Sequence, residues 1–144
     1  MKTQNENRNY LIHEISKIIK SKNDIEFAYI FGSFALLQKN LLNSSSFNDI
    51  DIAIFLSKDK KENVFLLESR IEDELESMFH FQFDVRVINN ASLSFQYNVL
   101  KSGILILDKN NSIRTDFEGL TLKKYFEYVH LRNEYMREVI NAPV

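Results

Sequence analysis

Four short apolar runs alternate along the chain with stretches of helical periodicity, and this alternation limits the possible folds before any functional residue is considered. Leu11, Ile12, Ile15, Ile18 and Ile19 recur as one face of a helix of about three turns that ends near Lys22. EFAYIF (26–31) reads as a strand stopping at Gly32, and FALLQKNLL (34–42) suits a short helix. NSSS (43–46) is a loop signal, and DIDIAIFL (49–56) is a second strand. Val64, Leu67, Ile71, Leu75 and Met78 form one stripe of a helix over 60–79. FQFDVRVI (81–88) alternates apolar and polar residues as a third strand. A helix over 93–100 ends at Gly103, and GILIL (103–107) is a fourth strand closed by DKNN. A long helix over 116–140 is expected to turn Tyr125, Phe126, Val129, Met136 and Ile140 inward, with Pro143 beyond its end. The order α-β-α-β-α-β-α-β-α predicts one α/β domain over 1–144, frayed over 1–9.

Composition supports a packed domain and narrows its partners. A chain of 144 residues with 44% hydrophobic and 26% charged residues has the material for one core, which excludes wholesale disorder. The absence of cysteine rules out a disulfide framework and a thiolate metal site, and it fits a reducing cytoplasm. A net charge of −2 lacks the basic footprint of a nucleic-acid binder, so no direct nucleic-acid partner is expected. No apolar run approaches the ~20 residues of a membrane span, and MKTQNENRNY is too polar for a secretory h-region. The expectation is a soluble cytoplasmic protein.

Within this frame, Asp49 and Asp51 open an apolar strand that has no use for them. Alternation in a strand sends both acids to one face, opposite Ile50, Ile52 and Ile54. Two nearby carboxylates repel each other unless a cation joins them, and hard divalent ions prefer oxygen ligands. The pair therefore reads either as a metal site or as acids at the solvent edge of a strand. Gly32-Ser33 stands where a strand becomes a helix, a place where close backbone approach, a hydroxyl and free N–H groups suit phosphate oxygens. Many such pairs are only turns. On the third strand, Gln82, Asp84 and Arg86 share the face away from Phe81, Phe83, Val85 and Val87. If this strand lies beside the Asp49 strand, Asp84 completes a carboxylate triad; otherwise it is a surface residue neutralised by Arg86. His13, His80 and His130 share no metal-ligand spacing, and KDKK (58–61) reads as a solvated turn.

Gly32-Ser33, then Asn48-Asp49-Ile50-Asp51 ahead of Ile52-Ala53-Ile54, then Asp84 on a later strand, resembles the polymerase-beta-like nucleotidyltransferase superfamily. The likeness is strongest to its minimal nucleotidyltransferase (MNT) branch. It implies a small mixed sheet flanked by helices, with a long C-terminal helix. It also implies Asp49, Asp51 and Asp84 as catalytic and metal-binding residues, two Mg²⁺ ions, ATP as substrate, and Gly32 and Ser33 on the β- and γ-phosphates. Many members of the branch act as antitoxins, transferring AMP to a tyrosine of a HEPN-domain ribonuclease toxin. The resemblance therefore implies a hetero-oligomer with such a toxin. Rival readings are a small-molecule (antibiotic-type) nucleotidyltransferase and an antitoxin that neutralises by binding alone. Ala35-Leu36-Leu37 stands where many relatives have Ala-Arg-Gly, Asn48 replaces the usual Ser, and 43–46 lengthens the connection to Asp49.

Overall fold

Nine elements run in the order α1 (Gln4–Lys20), β1 (Ile25–Phe31), α2 (Gly32–Gln38), β2 (Asp49–Leu56), α3 (Val64–Phe79), β3 (Gln82–Val87), α4 (Leu93–Ser102), β4 (Ile104–Asp108) and α5 (Asn111–Asn141) among the described residues. The computed structural model describes residues 4–38, 49–57 and 63–141. The expected helix extension over 39–42, the loop at 43–46, Asn48, the turn at 58–61 and Pro143 lie outside them. The sheet order is β3-β2-β1-β4. β1 is antiparallel to both β2 and β4, whereas β2 and β3 are parallel, so the sheet is mixed as the resemblance implies. This parallel pair needs a crossover, and α3 supplies it.

Both faces of the sheet are covered, which explains why β1 is apolar at nearly every position instead of alternating. On one face Ala28, Ile30, Ile50, Ile52, Ile54 and Val85 pack with Ile15 and Ile19 of α1, Phe34 of α2, and Ile71 and Leu75 of α3. On the other face Phe27, Tyr29 and Ala53 pack with Val99 of α4, with Phe31, Phe55, Phe95 and Phe117 around them. Arg114 anchors the start of α5, donating to Asp108 at 2.8 Å and to Glu118 at 3.0 Å. Glu118 in turn accepts the Tyr29 hydroxyl.

Helix ends follow local chemistry. Asn63 caps α3 by accepting the Phe65 N–H at 3.0 Å, and Ser92 caps α4 by accepting from Phe95 at 3.2 Å. α1 begins at Gln4, inside the stretch expected to fray, because Gln, Glu and Arg sustain a helix that is packed further along. α5 begins at Asn111 rather than 116, where the Asn110 side chain accepts the Ile113 N–H at 3.2 Å.

The inward stripe expected on α5 needs correction. Tyr125 and Val129 are half-buried, but Phe126, Met136 and Ile140 are exposed, at 58%, 50% and 75%. Periodicity identifies an apolar helix face but not what lies opposite it. At 1.5 Å per residue α5 is about 46 Å long, more than strands of five to eight residues can cover, so its second half runs clear of the core.

Candidate active site

β2 is an interior strand, and its first residues carry the acids. Ile50, Ile52 and Ile54 are wholly buried, which fixes the strand's facing and turns Asp49 and Asp51 to the opposite side, both half-buried. The antiparallel register sets Asp51 opposite Phe31, the last residue of β1. Gly32 and Ser33 follow at once as the first residues of α2. The parallel register sets Asp84 of β3 beside Asp51. Asp49, Asp51, Asp84 and the Gly32-Ser33 turn therefore meet at one end of the sheet, on the face shared with the aromatic cluster. The approach of Asp84 depends on β3 pairing beside β2.

Charge is unbalanced here. Burial first, and then the neighbouring Asp84 and Asp49, push the Asp51 carboxyl up to about 6, with Arg86 only partly offsetting them. Arg86 lies 3.5 Å from Asp84, the ion pair its spacing suggested, and its guanidinium also sits 5.9 Å from the centre of the Phe95 ring. Among the described residues no three His, Cys, Asp or Glu side chains are gathered closely enough to hold an ion as they stand. A donor set of three carboxylates, Asp49, Asp51 and Asp84, nonetheless has the chemistry of a hard divalent site. Closing it would mean drawing Asp84 from Arg86 towards Asp51.

The glycine of Gly32-Ser33 has a reason the sequence did not disclose. Gly32 has φ +75°, and a Cβ placed there would lie 2.2 Å from Asp51 Oδ2. Its role here is to make room for a carboxylate and to take a left-handed backbone, whatever a phosphate requires in addition. Gly32→Ala is expected to destabilise the fold by about 1–3 kcal/mol and to push Asp51 from its place, read from the denaturation midpoint. An alanine variant as stable as the parent would contradict the close packing. Ser33 is half-buried beside it, and Leu36, where many MNT relatives carry arginine, is half-buried as well.

Sequence reading missed a set of acids on α3. Glu76, Glu72 and Glu68 accept the backbone N–H groups of Phe83, Val85 and Val87 at 3.1, 3.0 and 2.9 Å. Their i, i+4, i+8 spacing is the available signal, but a solvated helix face has the same spacing. Burial pushes the Glu72 carboxyl up against the pull of the Val85 N–H, and Asp84, Glu76 and Glu68 add to the rise. A cleft of about 340 Å³ lies alongside, lined by Phe65, Glu68, Ser69, Glu72, Asp84 and Arg86 among others.

A family model described as Polymerase beta, Nucleotidyltransferase matches residues 13–112. No curated protein matches the chain significantly. Among solved structures, the chain resembles one from the Shewanella oneidensis complex of a tri-AMPylated HEPN toxin with an MNT antitoxin. That match has a TM-score of 0.67 and 19% identity, covering 92% of this chain and 98% of the other. The MntA–HepT toxin–antitoxin structure gives 0.66 and 18% identity with the same coverage. A toxin–antitoxin structure with AMP-PNP gives 0.65 and 20%, covering 93% and 98%. At these identities the likeness is one of fold.

Proposed function

The chain belongs to the polymerase beta nucleotidyltransferase family, and from that membership we propose that it transfers AMP from ATP to a tyrosine of a HEPN-domain toxin and so acts as its antitoxin. The observation that carries this reading is the register of Asp51 beside Asp84, with Gly32 shaped to receive the Asp51 carboxylate. Asp49, Asp51 and Asp84 would hold two Mg²⁺ ions, and bound metal would neutralise charge on the phosphates and on the attacking oxygen. Gly32 and Ser33 would hold the β- and γ-phosphates. Asp84 takes the proton of the tyrosine hydroxyl. The phenolic oxygen then bonds to the α-phosphorus, the bond to the bridging oxygen breaks, and pyrophosphate leaves in line.

One feature of the structure favours a protein acceptor over a small one. The outer half of α5 carries Phe126, Leu131, Tyr135, Met136, Val139 and Ile140 exposed, a surface suited to a protein partner. The structural neighbours, one from a complex with a tri-AMPylated HEPN toxin and one with AMP-PNP, agree with this acceptor and nucleotide.

The test is to mix the chain with the product of the neighbouring reading frame, Mg²⁺ and labelled ATP, and to map mass increments. One AMP per modified tyrosine is the expected result. Modification of a free antibiotic with the neighbour untouched would favour the small-molecule reading. Tight neutralisation without any increment would make the chain a contact-only antitoxin.

A further inference from the structure

β3 is an edge strand, paired with β2 on one side only, so the N–H groups on its other side need partners. α3 supplies them from Glu76, Glu72 and Glu68, which accept from Phe83, Val85 and Val87 in turn. The fit is geometric. Four helical residues rise about 6 Å and two strand residues about 6.6 Å, so a column at i, i+4 and i+8 keeps step with alternate amides. The helix runs antiparallel to the strand, since Glu68 meets Val87 at one end and Glu76 meets Phe83 at the other.

Asp84 lies between two of these held amides. Phe83 and Val85, its chain neighbours, are 4% and 1% exposed, and their amides face the Glu76 and Glu72 carboxylates. On its inner side Asp84 is set by register with Asp51. From this placement we infer that Glu72 and Glu76 are positioning residues that hold the Asp84 backbone in place for the reaction, whereas Glu68, bonded three residues further on, only closes the end of the edge.

The inference rests on the role given to Asp84 under the AMP-transfer reading. A buried N–H left without an acceptor is costly, so the strand relieves it by twisting outwards, and Asp84 moves with it. Displacement of a reacting group by about 1 Å is enough to slow a reaction severely. The nucleotide contacts assigned to Gly32, Ser33, Asp49 and Asp51 sit on other elements and stay in place. The predicted signature is therefore a fall in kcat without a matching rise in KM for ATP.

The experiment compares Glu72→Ala, Glu72→Gln, Glu76→Ala and Glu68→Ala by amide exchange, by the Asp84 carboxyl carbon signal of the free protein, and by AMP-transfer kinetics. Glu72→Ala should speed exchange of the Val85 amide and lower kcat, each by about tenfold or more, with KM for ATP held within about twofold. It should also shift or broaden the Asp84 signal. Glu72→Gln keeps an acceptor oxygen and should restore both the signal and most of the rate, and Glu76→Ala should resemble Glu72→Ala. Glu68→Ala should free the Val87 amide while kcat stays within about twofold of the parent. Equal kcat losses at Glu68 and Glu72, or an open Val85 amide with kcat and the Asp84 signal unmoved, would overturn the positioning role. A parent that transfers no AMP would sink the transfer reading, while the Asp84 signal would still decide whether the glutamates position it.

Discussion

Asp51→Asn is expected to reduce AMP transfer by about a thousandfold or more while the protein stays folded and becomes slightly more stable. Most polar-to-amide changes at half-buried positions cost stability, so the combination is diagnostic. Asparagine keeps the size of the side chain and its packing against Gly32, but it removes a charge opposed by burial and by Asp84 and Asp49. The loss of activity follows because an amide is a poor ligand for a hard divalent ion and cannot balance its charge.

The pH dependence fixes the sign. The folded-state carboxyl of Asp51 sits at about 6, above its ordinary value near 4. A group raised on folding contributes its stability when protonated in both states, and this contribution is lost as pH rises through the folded value. Parent and Asp51→Asn should therefore be equally stable below about pH 4 and diverge as pH approaches 6. Above that the variant should hold an advantage of about 1 kcal/mol, after allowance for solvent screening of a half-buried group. Denaturant midpoints across this range, with metal removed, measure it. Full transfer activity in the variant, or an advantage confined to acid pH, would remove Asp51 from the metal-binding role.

What the sequence made legible follows from how local each signal is. Asp49 to Leu56 alternates so regularly that its facing was readable, and the structure places the strand over the expected residues. The meeting of Asp84 with Asp51 was readable only as a condition, because strand pairing is decided by how α3 crosses over and not by either strand's own pattern. Gly32 was noticed for its freedom near a ligand, whereas the atom that needs its missing side chain belongs to Asp51, nineteen residues along the chain. The glutamates of α3 escaped notice because a carboxylate facing water and one facing a strand edge have the same spacing. The stripe on α5 failed for the opposite reason, since its apolar pattern is genuine but the sheet is too short to meet it.

Asp84→Ala is the second large effect, expected to lower kcat by about 10²–10³-fold with ATP affinity within about threefold of the parent. The asymmetry comes from geometry and chemistry together. Asp84 stands on β3, next to Asp51 in register but paired by charge with Arg86 at 3.5 Å, so the free protein does not depend on it to hold the Gly32 turn. Its assigned work is to accept the proton of the attacking hydroxyl, an interaction made chiefly in the transition state, and such interactions lower rate without comparable loss of ground-state binding. Removing Asp84 takes one carboxylate from the set that would hold Mg²⁺, while Asp49 and Asp51 remain on β2 for the ion that accompanies the nucleotide. Nucleotide binding is therefore expected to fall far less than the rate. Single-turnover transfer at saturating ATP, beside equilibrium binding of a non-hydrolysable analogue, separates the two quantities. Parallel losses of rate and affinity would make Asp84 a ligand of the nucleotide's metal alone and leave the tyrosine proton without its acceptor.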